Sequence, residues 1–321
     1  MQVMASLVIV SQALLMQNDL LDYPNHWELD GQKLIGKSER KDDSSFHPVL
    51  DVKTGKRSEI NGAVGAFQHF TTFTWTMSKQ RLWSFLTHGR ENGFHSSQIV
   101  YTLEVTPLHP NLRPGRCALS VAPFVDAIWE QARARPSRVF LAASVHNELM
   151  PELIVLSDLP HPKAKNRGSP FNWEQGEPPA KWNLSFHTYT VDPDLELQDK
   201  DWRMSKAVTC PFSEAFVAKK VDDAYYFVTS KKLFVLKAGT SKVKRLELPE
   251  LNGLRELGLL GLSEGGGIAV FIDKKGNARS MKLGPTPMSI VDIRPNGKLG
   301  LQAAVEAVAA DLFAERKAEA K

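Results

Sequence analysis

The chain carries the stretch EAFVAKKVDDAYYFVTS, then KKLFVLKAG, at residues 214–239, and a similar stretch, ELGLLGLSEGGGIAVFID, then KKGNARSMKLG, at residues 256–284. Each contains apolar runs separated by short polar or glycine-rich segments, the pattern of strands joined by tight turns. At an offset of 43 residues, Phe216 aligns with Leu259, and Asp222-Asp223-Ala224 aligns with Gly265-Gly266-Gly267. The same offset places residues 226–228 on 269–271 and Lys231-Lys232 on Lys274-Lys275. We therefore interpret residues 214–284 as two copies of one small β unit.

The length of this repeat predicts the architecture. A period in the low forties that contains several strands and turns is typical of one blade of a β-propeller, in which four-stranded sheets surround a central channel. We expect an all-β propeller of about five to seven such blades from the usual blade length. No catalytic signature accompanies the repeat, so it predicts an architecture and leaves the function open.

The composition is that of an ordinary soluble globular protein. The 321 residues are 42% hydrophobic and 24% charged, which excludes a disordered chain and a membrane-spanning helical bundle. Forty Lys and Arg residues against 36 Asp and Glu residues leave a net charge of +4, spread along the sequence rather than clustered. We therefore expect no nucleic-acid footprint.

The N-terminal segment, residues 1–22, leaves the cellular location open. Residues 3–16, VMASLVIVSQALLM, are apolar but too short to span a bilayer as a helix. No positive charge precedes them, although Ser11-Gln12-Ala13 fits a signal-peptidase site. A cleaved export signal and a core element of the mature fold both stay open, and we favour an exported or periplasmic location over a cytoplasmic one.

The two cysteines, Cys117 and Cys210, are too far apart in sequence for a CxxC redox or zinc motif. Two buried thiols are one interpretation. One long-range disulfide is the alternative, and it requires export to an oxidising compartment.

Turn motifs occur near both ends of the chain. Residues 30–33, with Asp30, Gly31 and Lys33, form a D-G-x-K turn before a strand around residues 33–37. A second turn of the form L-D-x-x-T-G joins two further strands, and its matching residues are Leu50, Asp51, Thr54 and Gly55. A third, Pro295-Asn296-Gly297-Lys298, lies between strands expected at residues 290–293 and 299–301. These motifs resemble the repeats of TolB-like and WD40-like propellers, and the resemblance implies a propeller that binds a protein or peptide partner.

The middle of the chain predicts further blades and one helix. The segments GAFQHFTTFTW, RLWSFLTHG and SSQIVYTLEVT fit one blade, and the prolines of residues 107–114 end it. Residues Pro123–Ala134 have the apolar spacing of a helix, an insertion into the propeller. The segments RVFLAAS and ELIVLSDL fit blade strands or the start of an α/β unit. With an amphipathic helix at the C-terminal end, the chain divides into residues 1–22, a propeller over 23–300 and a helix over 301–321.

Several polar residues could form a catalytic or metal site, but each set has an ordinary structural interpretation that we prefer. His69, His88 and His95 match no metal-ligand spacing and are expected to be strand-end histidines. The carboxylates of Asp192, Asp194, Glu196, Asp199 and Asp201 resemble the start of an EF-hand, yet Leu197 and Arg203 occupy the positions that need Gly and Glu. An acidic, solvated turn is therefore expected there.

The glycines 265–267 and the aromatic residues have similar alternatives. A phosphate-binding loop would be followed by a helix, whereas the apolar run IAVFID predicts a strand, so we interpret the triplet as a hairpin turn. Trp173, Trp182 and Trp202 could line a binding surface, although buried positions between blades are the usual ones for such rings. No GxSxG or SxxK motif is present.

Our functional prediction is a non-enzymatic propeller scaffold that binds a protein or peptide partner, with no cofactor, no metal and no catalytic residues assigned. The alternative is a propeller hydrolase or lyase acting on a glycan or peptide, with Asp192 or His88 at the channel mouth. A third possibility is an α/β enzyme built around residues 123–159. Two carboxylates about 5–9.5 Å apart in a central pocket would favour a glycosidase.

Overall fold

The strands of this chain form antiparallel sheets that follow one another in sequence. A computed structural model describes residues 24–37, 39–41, 44–61, 70–78, 81–89, 99–107, 115–119, 139–146, 150–157, 182–188, 203–204, 208–212, 216–284, 288–293 and 299–319. The predicted N-terminal segment 1–22 and the predicted helix Pro123–Ala134 lie outside these residues.

In the described part of the chain, the strands make five blades. Blade 1 contains β1 (Asn25–Asp30), β2 (Lys33–Ile35), β3 (Glu39–Lys41), β4 (Ser44–Asp51) and β5 (Arg57–Asn61). Blade 2 contains β6 (Phe70–Ser78), β7 (Arg81–Gly89), β8 (Ile99–Pro107) and β9 (Gly115–Leu119). Blade 3 contains β10 (Val139–His146), β11 (Met150–Ser157), β12 (Trp182–Thr188), β13 (Arg203–Met204) and β14 (Val208–Cys210). Blade 4 contains β15 (Val217–Val221), β16 (Ala224–Val228), β17 (Leu233–Lys237) and β18 (Lys244–Arg245), and blade 5 contains β19 (Glu256–Leu262), β20 (Gly267–Ile272), β21 (Ala278–Lys282) and β22 (Ile290–Asp292).

The first strands of the five blades close into a ring. Strand β1 contacts β6, β6 contacts β10, β10 contacts β15, β15 contacts β19, and β19 returns to β1. The last contact is a parallel pairing that runs from Asn25 opposite Gly258 to Leu29 opposite Leu262. At its end, the Ser263 hydroxyl donates to Asp30 Oδ1 at 2.7 Å. A closed ring of consecutive antiparallel sheets is a β-propeller, as predicted, whereas the assignment to TolB-like or WD40-like repeats stays a prediction.

The repeated stretch forms blades 4 and 5, and the turns explain how far the two copies align. Asp222 and Asp223 make a two-residue turn between β15 and β16, whereas residues 263–266 make a four-residue turn between β19 and β20. The strands after these turns, which begin at Ala224 and Gly267, keep the predicted offset of 43 residues. Because the second turn is two residues longer, the strands before it are related by 41 residues, and Phe216 is not the counterpart of Leu259 as predicted.

The hairpin predicted around Asp51 is present and shows why the sequence turns there. Asp51 Oδ1 accepts hydrogen bonds from the backbone N–H groups of Lys53, at 3.0 Å, and Thr54, at 2.9 Å. Both hydrogen bonds lower the pKa of Asp51, and the bond from Thr54 has the larger effect. Asp273 makes the same kind of turn between β20 and β21, with Lys275 and Asn277 as donors. In both the first and the last blade, an aspartate side chain therefore stabilises a turn by accepting hydrogen bonds from its backbone.

One expected strand and two of the alternatives considered for the sequence are contradicted by the structure. Residues 299–301 were expected to form a strand, but helix α1 (Leu301–Glu319) begins there, because residues 301–319 are rich in alanine and other good helix formers. Strands β10 and β11 pair antiparallel, which excludes an α/β unit built on them. Cys210 carries a free, buried thiol whose pKa is raised to about 12 by burial, which contradicts the disulfide alternative and confirms the interpretation as a buried thiol for Cys210.

Among the described residues, apolar clusters join blade 1 to blade 2, blade 3 to blade 4 and blade 4 to blade 5. One joins blades 1 and 2 through Ile35, Val49 and Trp75, and another joins β14 to blade 4 through Cys210 and Phe234. A third joins blades 4 and 5, with its buried members on both sheets. Packing of neighbouring sheets therefore supplies the stability that no single blade could provide.

Helix α1 fills the space between blade 5 and blade 1. Its buried residues lie three or four positions apart along one face, and they pack on a cluster with Trp27 and Val270; they are Leu301, Ala304, Val305, Val308 and Ala309. Ion pairs tie its exposed side to both blades, since Glu306 binds Arg57 at 2.9 Å and Arg316 binds Glu264. None of the described helices combines the length and the hydrophobicity needed to cross a membrane. The C-terminal helix, predicted from its amphipathic pattern, thus joins the two ends of the ring.

We expect Ala304→Asp to lower the free energy of unfolding by about 3 kcal/mol or more, because it places an unpaired carboxylate in the apolar space between the blades. Ala304 is fully buried, and the adjacent Ala303 is exposed on the same helix. Ala303→Asp is therefore the matched control, and urea unfolding should show it within about 0.5 kcal/mol of the wild type. An equal decrease in the free energy of unfolding in the two variants would show that the packing of α1 does not stabilise the ring.

Candidate functional site

A cluster of buried polar and charged side chains lies where the inner strands of three blades meet. Its members are His26 and Glu28 on β1, Thr76 on β6 and Lys219 on β15. Glu28 Oε1 lies 3.0 Å from His26 Nε2 and accepts a hydrogen bond from the Thr76 hydroxyl at 3.2 Å. Lys219 Nζ donates to Glu28 Oε2 at 3.3 Å. We call these four residues the axial cluster.

Local sequence positions this cluster. His26 and Glu28 are two residues apart on one strand, so their side chains share a face. Glu28 lies opposite Gly261 of β19, and a Cβ atom at Gly261 would lie 2.5 Å from Glu28 Cδ. Gly267, the partner of Gly261 on β20, would bring a Cβ atom 3.2 Å from Cγ of Lys219. Two glycines of blade 5 thus make room for the ion pair.

Electrostatics keeps Glu28 ionised although it is fully buried. Burial raises its pKa, but the charge of Lys219 and the hydrogen bond and charge of His26 together outweigh that effect, so the pKa lies below its usual value. The net gain from such a pair is small, because removing two charges from water costs nearly as much as their attraction returns. Removing one partner, however, leaves an uncompensated buried charge. The pair therefore favours the one arrangement of blades that brings both residues together.

The ring of Trp75, on blade 2, contacts two histidine rings of blade 1. The Trp75 ring lies 4.6 Å from the His26 ring and 4.7 Å, in an edge-on arrangement, from the His47 ring. His47 Nδ1 lies 2.9 Å from the Gly36 carbonyl oxygen, so this nitrogen carries the proton and donates. Burial lowers the pKa of His47 to about 4, and the imidazole is neutral at physiological pH.

The axial cluster is closed from solvent. Glu28 and Lys219 are 0% exposed, so neither reaches a molecule in solvent without opening the ring. Within the described ranges, no group of three His, Cys, Asp or Glu residues could hold a metal ion. The Glu28–Lys219 contact of 3.3 Å makes the axial cluster a buried, compensated ion pair.

The residues singled out in the sequence fall mostly elsewhere. Two of the three histidines, His69 and His95, lie outside the described residues, as do the acidic residues of 192–201, Trp173 and Trp202. His88 is the penultimate residue of β7, and Trp182 is the first residue of β12. The glycine triplet makes the predicted hairpin turn, in which Gly265 and Gly266 have positive φ angles of 110° and 91° and Gly267 begins β20.

Sequence reasoning missed both partners of the axial ion pair. Glu28 and Lys219 are 191 residues apart, so no local spacing relates them. One signal was present: Glu28 sits between Trp27 and Leu29 in a strand buried on both faces. A charged residue in such a strand demands a buried partner, although the sequence does not say which.

Comparisons with known proteins assign this chain to no family. No family sequence model matches this chain, and no curated protein is similar to it in sequence. Similar solved structures include the six-bladed β-propeller lectin of Aleuria aurantia, 9% identical with a TM-score of 0.43, over 85% of this chain and 79% of the lectin. An α-L-arabinofuranosidase of Clostridium thermocellum is 10% identical with a TM-score of 0.44, over 84% of this chain and 92% of the enzyme. A mutant of AofleA from Arthrobotrys oligospora is 10% identical with a TM-score of 0.45, over 86% of this chain and 72% of that one. With TM-scores below 0.5, none of these similarities assigns a fold or a function to this chain.

We expect Lys219→Met to lower the free energy of unfolding by about 3–5 kcal/mol, because Glu28 stays buried without its main counter-charge. Glu28→Gln should likewise leave Lys219 uncompensated. The decrease in the free energy of unfolding of the Glu28→Gln/Lys219→Met double variant should be smaller, by at least about 1 kcal/mol, than the sum of the decreases in the two single variants. The matched control is Arg255→Met/Glu256→Gln, at an exposed ion pair of 3.2 Å, with an effect within about 0.5 kcal/mol. Strictly additive losses at Glu28 and Lys219 would contradict a coupled pair.

We expect the free energy of unfolding to fall as pH is lowered from 6.5 to 4, in part because His47 takes up a proton less readily in the folded state than in the unfolded chain. Its pKa is about 4 when folded and 6.5 in its unperturbed form, so the unfolded chain binds more protons across this window. One such group changes the free energy of unfolding by about 1.4 kcal/mol per pH unit. His47→Asn keeps an N–H donor for the Gly36 carbonyl and removes the titration. Urea unfolding at several pH values should show a shallower slope for this variant, and an unchanged slope would exclude His47 as a source.

Proposed function

We propose that this chain is a non-enzymatic β-propeller scaffold that binds a protein or peptide partner. The observation that carries the proposal is the buried Glu28–Lys219 ion pair, which joins the inner strands of blades 1 and 4 at 3.3 Å. A buried, compensated pair at the meeting point of the inner strands suits a ring that stays closed. Loops and sheet edges around a rigid ring are free to contact a partner.

The geometry at the axial cluster gives little support to the enzymatic alternative. A glycosidase needs two carboxyl groups about 5–9.5 Å apart that a sugar can reach. Glu28 is the carboxylate of the axial cluster, and it is closed from solvent and neutralised by Lys219. A general acid would also need a raised pKa, whereas the pKa of Glu28 is lowered. We therefore assign this carboxylate to the scaffold.

The packing between blades supports the same conclusion. Large buried side chains on neighbouring sheets, such as Phe227 and Phe271, are fully enclosed. Close-packed interiors have low compressibility, so the packed sheets hold the groups on the surface of the ring at fixed positions. Fixed positions suit the recognition of a partner, because binding then requires little ordering of the protein.

To test this proposal, the tagged wild-type chain and the Glu28→Gln/Lys219→Met variant would be used to capture partners from extracts of the source cells. Both should retain the same protein in a constant ratio, since binding at the surface does not require the axial charges. The same preparations should give no turnover of aryl glycosides or peptide substrates.

Turnover by the wild type that Glu28→Gln abolishes would overturn the proposal in favour of a hydrolase. Failure of both proteins to retain any partner would overturn it as well. A circular dichroism spectrum must first show that the double variant keeps the wild-type fold.

A further inference from the structure

The outer hairpin of blade 4 concentrates positive charge. Residues 231–245 include six cationic residues and no acidic residue, although the whole chain has a net charge of +4. The six are Lys231, Lys232, Lys237, Lys242, Lys244 and Arg245, and all are exposed. We call residues 231–245 the cationic hairpin. The charge is therefore clustered here, contrary to the even distribution expected from the sequence.

The fold arranges these side chains along one border of the blade. Lys231 and Lys232 lie in the turn before β17, and Lys237 ends that strand. Lys244 and Arg245 form β18, the last strand of the sheet. Arg245 has partners in Glu247, at 4.0 Å, and Asn252, at 3.5 Å. In the described part of the chain, the five lysines have no carboxylate within ion-pairing distance, so their charges are available to a partner.

The backbone of β18 is also open on its outer side. The Leu246 N–H group donates to the Leu233 carbonyl at 2.8 Å, toward β17. Because successive residues of an antiparallel strand point their N–H and C=O groups to opposite sides, those of Arg245 face away from β17. Among the described strands none pairs with this side of β18. An extended segment could therefore add to the sheet here.

Acidic residues limit the positive surface to this narrow border. Asp222 and Asp223 form the neighbouring turn, where the Asp223 carbonyl accepts from Ala238 N–H at 2.8 Å. Glu247 follows β18 directly, and Glu250 lies in the next turn. A nucleic-acid duplex needs a broader basic surface, and a single strand needs exposed aromatic rings for stacking. The one aromatic residue of the hairpin, Phe234, is buried.

We propose that the cationic hairpin binds an acidic, extended segment of a partner protein, which pairs with the open side of β18 and places its carboxylates beside the lysines. This inference rests on the proposed scaffold function and assigns the surface and the chemistry of the partner. Backbone hydrogen bonds supply orientation, and the charges supply attraction and selectivity. Lysines suit this role, because they act as point charges without the fixed geometry that arginine imposes.

The test measures binding of a short fluorescein-labelled peptide that alternates glutamate with threonine, by anisotropy at low salt. Lys242→Glu/Lys244→Glu should weaken binding by about tenfold or more, because it reverses two exposed charges in or next to β18. Lys53→Glu/Lys56→Glu makes the same change in net charge at the exposed turn of blade 1 and should alter affinity by less than about twofold. Thermal unfolding of both variants checks that they are folded.

Three further probes separate this surface from general attraction to anions. A peptide with glutamine in place of glutamate should not bind. A peptide with alternate N-methylated backbone groups keeps its charge but cannot pair with a strand, so it should bind weakly. A single-stranded oligothymidylate of equal charge should bind less tightly than the acidic peptide.

Equal losses in the two charge-reversal variants, full binding of the N-methylated peptide or tighter binding of the oligonucleotide would each overturn the inference. If the wild type and Lys242→Glu/Lys244→Glu retained a cellular partner equally, the assignment of the cationic hairpin as the binding surface would be wrong, while the scaffold function would still stand. Failure to retain any cellular partner is the separate outcome that overturns the scaffold function.

Discussion

The carboxylate of Glu28 is the point on which the ring depends, because one side chain on β1 contacts groups from three blades. His26 belongs to the same strand, Thr76 comes from blade 2, and Lys219 comes from blade 4. Gly261 of blade 5 makes room for that carboxylate. Hydrophobic attraction between neighbouring sheets is non-directional. The buried ion pair adds a directional constraint, since a displacement of one blade against the next leaves an unpaired charge.

The sequence predicted the architecture well because blades are made by local signals. Alternating apolar strands, Asp-led turns such as that at Asp51, and the repeat of blades 4 and 5 each depend on residues close together in the chain. The alignment of the repeat shifted only where turn lengths differ, because a turn can gain residues without changing the strands it joins. The strand expected at residues 299–301 failed, since a short apolar run has no period of its own and the alanine-rich segment after it favours a helix.

The candidate site was not predictable in the same way. Lys219, the partner of Glu28, lies 191 residues further along the chain, and only the closed ring brings the two side chains together. The cationic hairpin is a different case, because all its residues are consecutive. A count over the whole chain conceals it, since acidic residues elsewhere balance the total. Charge evaluated hairpin by hairpin, with the strands assigned, would have found this surface. In our proposals the two features have different roles: the buried charges fix the scaffold, and the exposed charges contact a partner.

The way the ring closes also affects how the chain reaches its folded state. Blade 1 is joined to blade 5 by strand pairing, by the Ser263–Asp30 bond across 233 residues and by the Arg57–Glu306 pair across 249 residues. Contacts of such long separation form late, because the chain must first bring distant segments together. During synthesis, therefore, β1 is made early, and the edge that pairs with β19 in the folded ring stays unpaired until β19 has been made. An unpaired strand edge invites pairing with another chain, so the interval before closure is when this protein is most exposed to misassembly.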